Sequence, residues 1–252
     1  MKIYSSMILI ALLLTISPLR AEEYQWQGLY GGIHLNQSWG VNQDKIRGYE
    51  ISDGDPTSQV WTTDSPNLSG SGVGLHLGYH WIHNQCLMGL EASFSSSDQN
   101  GHEATVAGNS VGGARNAINT SARIHYDTKL LAKFGTLISP QHSIYALAVF
   151  SAAQVKTKFD YTPSLNAAYE THPSSNDTET GWTIRLGTEY KFTDKLSLRA
   201  EALYTDLGKS KRLQGKETLV PGGTATPGDA YAINGQVDLK YSTLQLGINY
   251  QF

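Results

Sequence analysis

From residue 26 onward the chain alternates apolar and polar positions with a period of two, in stretches separated by polar segments of very unequal length. Successive side chains of a strand leave on opposite sides, so each stretch predicts a strand with one apolar face. The last nine residues show this best: Leu244, Leu246, Ile248, Tyr250 and Phe252 alternate with Gln245, Gly247, Asn249 and Gln251. A first strand runs from Trp26 to about Trp39, with Leu29, Ile33, Leu35 and Trp39 opposite Tyr30, Gly32, His34, Asn36 and Ser38. A second sets Val73, Leu75, Leu77, Tyr79 and Trp81 against Gly74, His76, Gly78 and His80. His83-Asn84-Gln85 then turns into a third, where Met88, Leu90, Ala92 and Phe94 oppose Leu87, Gly89, Glu91 and Ser93, making a tight hairpin.

The fourth predicted strand alternates Ile124, Tyr126, Leu130, Ala132 and Phe134 with His125, Asp127, Lys129, Leu131 and Lys133. Ser139-Pro140-Gln141-His142 joins it to a fifth, with Tyr145, Leu147, Val149, Val155 and Phe159 on its apolar face and Lys156 opposite. The sixth sets Trp182, Ile184, Leu186 and Tyr190 against Thr183, Arg185, Gly187 and Glu189. Thr193-Asp194 leads to the seventh, with Leu196, Leu198, Ala200, Ala202 and Tyr204 opposite Ser197, Arg199, Glu201, Leu203 and Thr205. Before Leu244, the residues Val237, Leu239 and Tyr241 are apolar in the opposite phase, which predicts a bulge near Ser242.

The tally is eight strands, with short turns strictly interleaved between four long loops at about 41–68, 95–121, 160–179 and 208–236. That asymmetry is the pattern of an all-β, eight-stranded antiparallel up-and-down transmembrane β-barrel, with short periplasmic turns and long extracellular loops. A soluble lipocalin-like barrel is the competing architecture. It requires the apolar faces to point inward, yet these are bulky and the opposite faces carry charge of both signs. Aromatic residues cluster near the strand ends as two interfacial girdles require: Trp26, Trp81, Tyr190, Tyr250 and Phe252 at one end, Trp39, Phe94, Trp182 and Tyr204 at the other. A terminal Phe with an aromatic two residues earlier also reads as a barrel-closing assembly signal, carried by Leu246, Ile248, Tyr250 and Phe252.

Lys2, the apolar run from Met7 to Ile16 and the segment ending at Ala21 read as a secretory signal peptide over residues 1–21, leaving 22–252 as the barrel domain. The run is shorter than the roughly 20 apolar residues a spanning helix needs, which disfavours a retained anchor. A net charge of -3, with both signs mixed along the chain, excludes a nucleic-acid stripe. Mean hydropathy of -0.31 resembles that of a soluble protein, but a barrel shows lipid only every second residue. The single cysteine, Cys86, rules out an internal disulfide and a thiolate metal cluster.

Trp26-Gln27-Gly28-Leu29-Tyr30-Gly31-Gly32, Gly89-Leu90-Glu91, Arg185-Leu186-Gly187-Thr188-Glu189-Tyr190, Glu201-Ala202-Leu203-Tyr204-Thr205-Asp206-Leu207-Gly208 and the Gly247-Ile248-Asn249-Tyr250-Gln251-Phe252 ending occur in order along the mature chain. Together they resemble the opacity-type outer-membrane β-barrel family of small porin-like surface antigens, relatives of the OmpA-like eight-stranded barrels. The resemblance implies an eight-stranded barrel in the outer membrane of a Gram-negative cell. It also implies a role within the family's range: porin, adhesin, immune antigen, haem binder or envelope stabiliser. The stretch from Arg123 to Phe134 departs from the family pattern, carrying His125 and Lys129 where an Arg-x-Gly-Tyr run is usual.

Candidate chemistry lies inside the barrel. Glu91, Lys129, Lys133, Lys156, Arg185, Glu189, Arg199 and Glu201 fall on the predicted lumen faces. Eight strands enclose about as much space as side chains fill. An unpaired charge confined there costs several kcal/mol, so the reading is an ion-pair network plugging the lumen; the alternative is a narrow pore whose selectivity these charges set. His76 and His80 share a face but lie about 13 Å apart along a strand, too far for one ion. No cofactor or metal is therefore expected, and haem or ligand binding is the minor alternative. No nucleophile with a base and an orienting acid stands out: Asp53-Gly54-Asp55 reads as a solvated turn, and His142-Ser143 sits at a short turn.

The expected function is thus non-enzymatic: a monomeric outer-membrane barrel with a structural or surface-contact role, antigen- or adhesin-like, and a small porin as the alternative. Its expected partners are outer-membrane lipid and lipopolysaccharide, the barrel-assembly machinery through the C-terminal strand, and a host or surface ligand through the polar loops, where recognition would reside.

Overall fold

The computed structural model describes residues 26–40, 45–52, 55–64, 66–107, 116–162, 169–170, 172, 174–210, 213–216, 218–219, 230–235 and 237–252. The segment expected to be the signal peptide lies outside them, as do Asp53 and Gly54. In chain order the strands are β1 (Gly28–Gly40), β2 (Lys45–Ser52), β3 (Asp55–Asp64), β4 (Ser69–His83), β5 (Cys86–Ala107), β6 (Asn116–Ser139), β7 (His142–Thr162), β8 (Tyr169–Glu170), β9 (Ser174–Lys191), β10 (Leu196–Lys209), β11 (Leu213–Lys216), β12 (Thr218–Leu219), β13 (Ala230–Gly235) and β14 (Asp238–Gln251).

Eight of them close a barrel in the order β1-β14-β10-β9-β7-β6-β5-β4, with antiparallel pairing throughout. The seam joins the first and last strands, from Tyr30↔Gln251 to Gly40↔Tyr241. The apolar C-terminal pattern therefore does what a closing strand must, removing both sheet edges at once. Strands extend past the alternation that predicts them. β5 and β6 stay paired out to Ala107↔Asn116, so most of 95–121 is ladder rather than loop. Segments expected as two separate loops meet in a four-stranded sheet, β11-β13-β2-β3, and a two-stranded sheet joins β12 to β8.

On most strands the faces are those the alternation predicts. Ile33 and Leu35 are both 63% exposed on the outside, while Tyr30, His34 and Ser38 are buried inside. Three departures follow from register. β6 carries one residue more than its partner β7 between Ile124↔Val155 and Tyr126↔Gln154, a bulge at His125. The extra residue flips the phase, so Tyr126 faces out while Ile124 is fully buried, and His125 is half-buried at the bulge rather than lining the lumen.

β7 is turned over. Ile144 and Phe150 are exposed, and Tyr145, Leu147, Val149, Val155 and Phe159 point into the barrel. Ile144-Tyr145-Ala146-Leu147-Ala148-Val149-Phe150 is apolar on both faces. Pairing decides its orientation, because Leu147 stands opposite both Lys133 of β6 and Arg185 of β9 and must share their face. Lys156 consequently projects outward.

β14 pairs with β1 without interruption from Tyr241 to Gln251, so the bulge expected near Ser242 is absent. Val237, Leu239 and Tyr241 keep the same phase as Gln245 and Asn249 and face inward. They join Leu68, Ala122, Ile124, Ala153, Val155, Phe159 and Leu207 in one apolar cluster inside the barrel, toward the end away from the short turns.

Candidate functional site: the lumen network

Seven of the eight sequence-predicted lumen charges lie inside the barrel, at most 5% exposed: Glu91, Lys129, Lys133, Arg185, Glu189, Arg199 and Glu201. Lys156 does not, because β7 presents its other face. The hub is the Glu91 carboxylate. It accepts from Arg185 Nη1 at 3.1 Å, from Arg199 Nη1 at 2.7 Å and from the Tyr30 hydroxyl at 2.7 Å. Those partners come from β1, β9 and β10 while Glu91 is on β5, so the contacts cross the barrel rather than follow neighbouring strands.

Glu201 forms the second node. Arg185 Nη1 donates to its Oε2 at 3.3 Å, the Tyr145 hydroxyl donates to Oε1 at 3.0 Å, and Gln245 Nε2 donates to Oε2 at 2.9 Å. Arg199 Nε lies 3.5 Å from the same Oε2. Glu189 accepts from Asn249 Nδ2 at 2.6 Å and Ser197 Oγ at 2.5 Å, and its Oε2 lies 3.7 Å from Lys133 Nζ. Lys133 also donates to His80 Nε2 at 3.1 Å and sits 4.1 Å from the centre of the Tyr145 ring. Three carboxylates and three cations thus meet at mid-barrel, bridged by hydroxyl and amide groups. Such bridging is what allows buried charge to persist.

Tyr30 and Tyr145 are members the charge count misses; they reach the carboxylates by lying flat over glycine. A Cβ on Gly78 would come 2.5 Å from the Tyr30 ring, and one on Gly187 would come 2.4 Å from the Tyr145 ring. The sequence offered a sign of this in Gly78 and Gly187, both on the predicted lumen face. Lys129 pairs instead with Asp127 of its own strand, at 2.6 Å.

The histidines form a directed chain. His76 Nε2 lies 2.6 Å from Asn249 Oδ1, which can only accept, so this nitrogen carries the proton. In the neutral ring Nδ1 then accepts from His34 Nδ1 at 3.2 Å, and His34 Nε2 accepts from Ser95 Oγ at 3.0 Å. His34 and His76 therefore meet across neighbouring strands, as the spacing along one strand does not reveal. Among the described residues no three His, Cys, Asp or Glu side chains converge as a metal site. Further out a run of hydroxyls crosses adjacent strands, Ser38 to Thr243 at 2.8 Å, Ser151 to Thr183 at 2.7 Å and Thr183 to Thr205 at 2.8 Å.

The aromatic girdles are largely where the pattern puts them. Trp39, Phe94, Trp81, Trp182, Tyr204, Tyr250 and Phe252 are exposed on the outer wall, Tyr190 is half-buried, and Leu246 and Ile248 face outward on the closing strand. Trp26 is the exception, only 2% exposed. Its indole N–H donates to the Pro140 carbonyl at 2.8 Å and its ring lies 5.0 Å from Lys191 Nζ. It caps the barrel end that carries the short turns because β1 begins only at Gly28, leaving Trp26 free to fold over the opening.

A 31 kDa outer-membrane immunogenic protein of Brucella melitensis is 22% identical over 232 residues, 92% of this chain and 85% of the relative. Among solved structures, OprG from Pseudomonas aeruginosa shares 15% identity, with 90% of this chain and 96% of that one covered and a TM-score of 0.48. The outer-membrane protease OmpT from Escherichia coli shares 10% identity, with 89% and 97% covered and a TM-score of 0.47. The family model for the outer membrane protein beta-barrel domain matches residues 7–252. The closed eight-stranded barrel with its apolar outer wall agrees with that match, and the chain belongs to the outer-membrane protein β-barrel family, in the cell outer membrane.

Proposed function

We propose that this protein is a non-catalytic envelope barrel with a structural or surface-contact role, its lumen plugged by the mid-barrel ion-pair network. The observation carrying this reading is the accessibility of the network's two arginines, 1% for Arg185 and 0% for Arg199. A side chain lining an open water path keeps accessible surface even inside a protein. The apolar cluster around Phe159 and Tyr241 lies on the extracellular side of the charges, a second layer that disfavours ion passage. Contact functions then fall to the extracellular hairpins, in keeping with the immunogenic character that the Brucella relative is named for. The C-terminal strand, with Phe252 at its end, engages the assembly machinery, and the barrel works as a monomer.

The test is single-channel recording in a planar bilayer, of the wild type and of Arg185→Ser/Arg199→Ser. The wild type gives no discrete steps, and the variant gives leakage or a loss of stability. Stable wild-type steps whose ion preference shifts in the variant would make the protein a small porin instead.

A further inference from the structure

Two neighbouring barrel strands separate at the end away from the short turns. β9 and β10 stay paired as far as Trp182↔Asp206. Gly208, at φ +73°, then turns β10 aside in a left-handed conformation, and the chain resumes in β11, whose ladder partner is β13 rather than β9. β9 itself continues, paired with β7 without a break from Tyr190 back to Ser174. Among the described residues, the edge of β9 from Ser174 to Thr180 therefore has no ladder partner on its second side. That stretch spans about 20 Å, and every second residue turns both its N–H and its C=O to the unpaired side.

Neither face of this stretch is covered as the lower part of the strand is. Ser174, Asn176, Thr178 and Thr180 are exposed and Ser175, Asp177 and Glu179 half-buried, whereas Thr183 and Arg185 are buried. Natural sheets blunt such edges. β3, at one side of the four-stranded sheet, carries Pro56 and two register irregularities, but Ser174 to Thr180 has neither proline nor bulge.

Charge selects what can be added there. Asn176 stands directly opposite Lys156 of β7, and Ser174 opposite Lys158, so these four residues share the outer face. Both lysines are exposed, and among the described residues neither has a carboxylate partner. A strand laid along β9 would lie about 10 Å from β7. With only Ser174 and Asn176 between, the four-carbon lysine stems can lean across to carboxylates on that strand. The other face gives the reverse instruction. It carries Asp177, which accepts from the Ser175 hydroxyl, and Glu179, and like charges across a ladder repel. Carboxylates are thus favoured at every second position of an added strand and disfavoured between.

We propose that the edge of β9 from Ser174 to Thr180 docks, by strand addition, an extended segment of a partner protein that carries acidic residues at alternate positions. Main-chain hydrogen bonds to the edge supply the attachment, and Lys156 and Lys158 set the phase. This inference deepens the surface-contact role proposed above and rests on it.

The probe is a fluorescent peptide alternating Thr with Glu, titrated into the folded protein in detergent and read by anisotropy, beside a peptide alternating Thr with Lys. Heat-modifiable mobility checks that each variant is folded. The wild type binds the Glu peptide roughly tenfold tighter, as exchanging repulsion for attraction at two exposed lysines implies. Lys156→Gln/Lys158→Gln loses that preference, methylating every second peptide nitrogen abolishes binding in one of the two phases, and the bound peptide slows amide exchange within residues 174–180. No preference in the wild type, a preference surviving in the double variant, binding that survives methylation in both phases, or unaltered exchange over 174–180 would each overturn the proposal. So would a wild-type dimer that the peptide dissociates, which would assign the edge to a second copy of the chain. Stable channel steps overturn the contact role itself, whereas a silent channel with no peptide preference overturns only this site.

Discussion

Replacing Glu91 by glutamine keeps the shape of the hub and removes its charge. The carboxylate lies 3.1 Å and 2.7 Å from two guanidinium nitrogens, and all three side chains are at most 1% exposed. At an effective dielectric near 20, each of those attractions is on the order of 5 kcal/mol. The net loss is smaller than their sum, because Glu201 and the amide oxygen of the new side chain still face the guanidinium groups. Breaking one member of a buried ion network costs about 3–5 kcal/mol, mostly because its partners stay buried without their counter-charge. Here Glu91→Gln leaves Lys133, Arg185 and Arg199 facing only Glu189 and Glu201. The unfolding equilibrium should shift by roughly two to four powers of ten. Urea titration in phospholipid vesicles, read by tryptophan fluorescence and by the fraction keeping heat-modifiable mobility, measures it. The loss should be nearly the same at about 0.15 M and about 1 M salt, because screening ions do not reach a pair that water does not reach. A loss below about 1 kcal/mol, the range of exposed ion pairs, would mean a hydrated lumen and would refute the reasoning.

Three further outcomes follow from the geometry. Lys156→Ala should change stability by less than about 0.5 kcal/mol while Lys133→Ala costs about 3–5 kcal/mol, and equal effects in the same titration would contradict the orientation of β7. Phe159→Ala removes a fully buried ring from the apolar cluster and should cost about 3–5 kcal/mol, measured as a lowered urea midpoint at unchanged slope. Gly78→Val drives a side chain into the Tyr30 ring and should cost about 1–3 kcal/mol, with Tyr30→Ala in the same chain showing less than the sum of the two losses; strict additivity would show that the ring does not lie over this glycine.

Sequence alone determined the number of barrel strands, their up-and-down order and the closing role of the C-terminal strand, because period-two alternation is a local property that survives any arrangement of neighbours; the six strands outside the barrel lie in segments it marks as loops. It also determined most of the lumen charges, since on β5, β9 and β10 only one face is apolar and the polar face has nowhere to go but inward. Tertiary structure decided the rest. On β7 both faces are apolar, and only pairing with Lys133 and Arg185 turned Leu147 inward and Lys156 out. The bulge at His125 reversed Ile124, while Val237, Leu239 and Tyr241 kept step with the closing strand and entered an apolar layer that their own alternation did not announce. Contacts across the barrel, Glu91 to Arg185 and Arg199, join residues 94 and 108 positions apart. No periodicity along one strand encodes them, because they exist only once closure brings opposite walls within reach of a side chain.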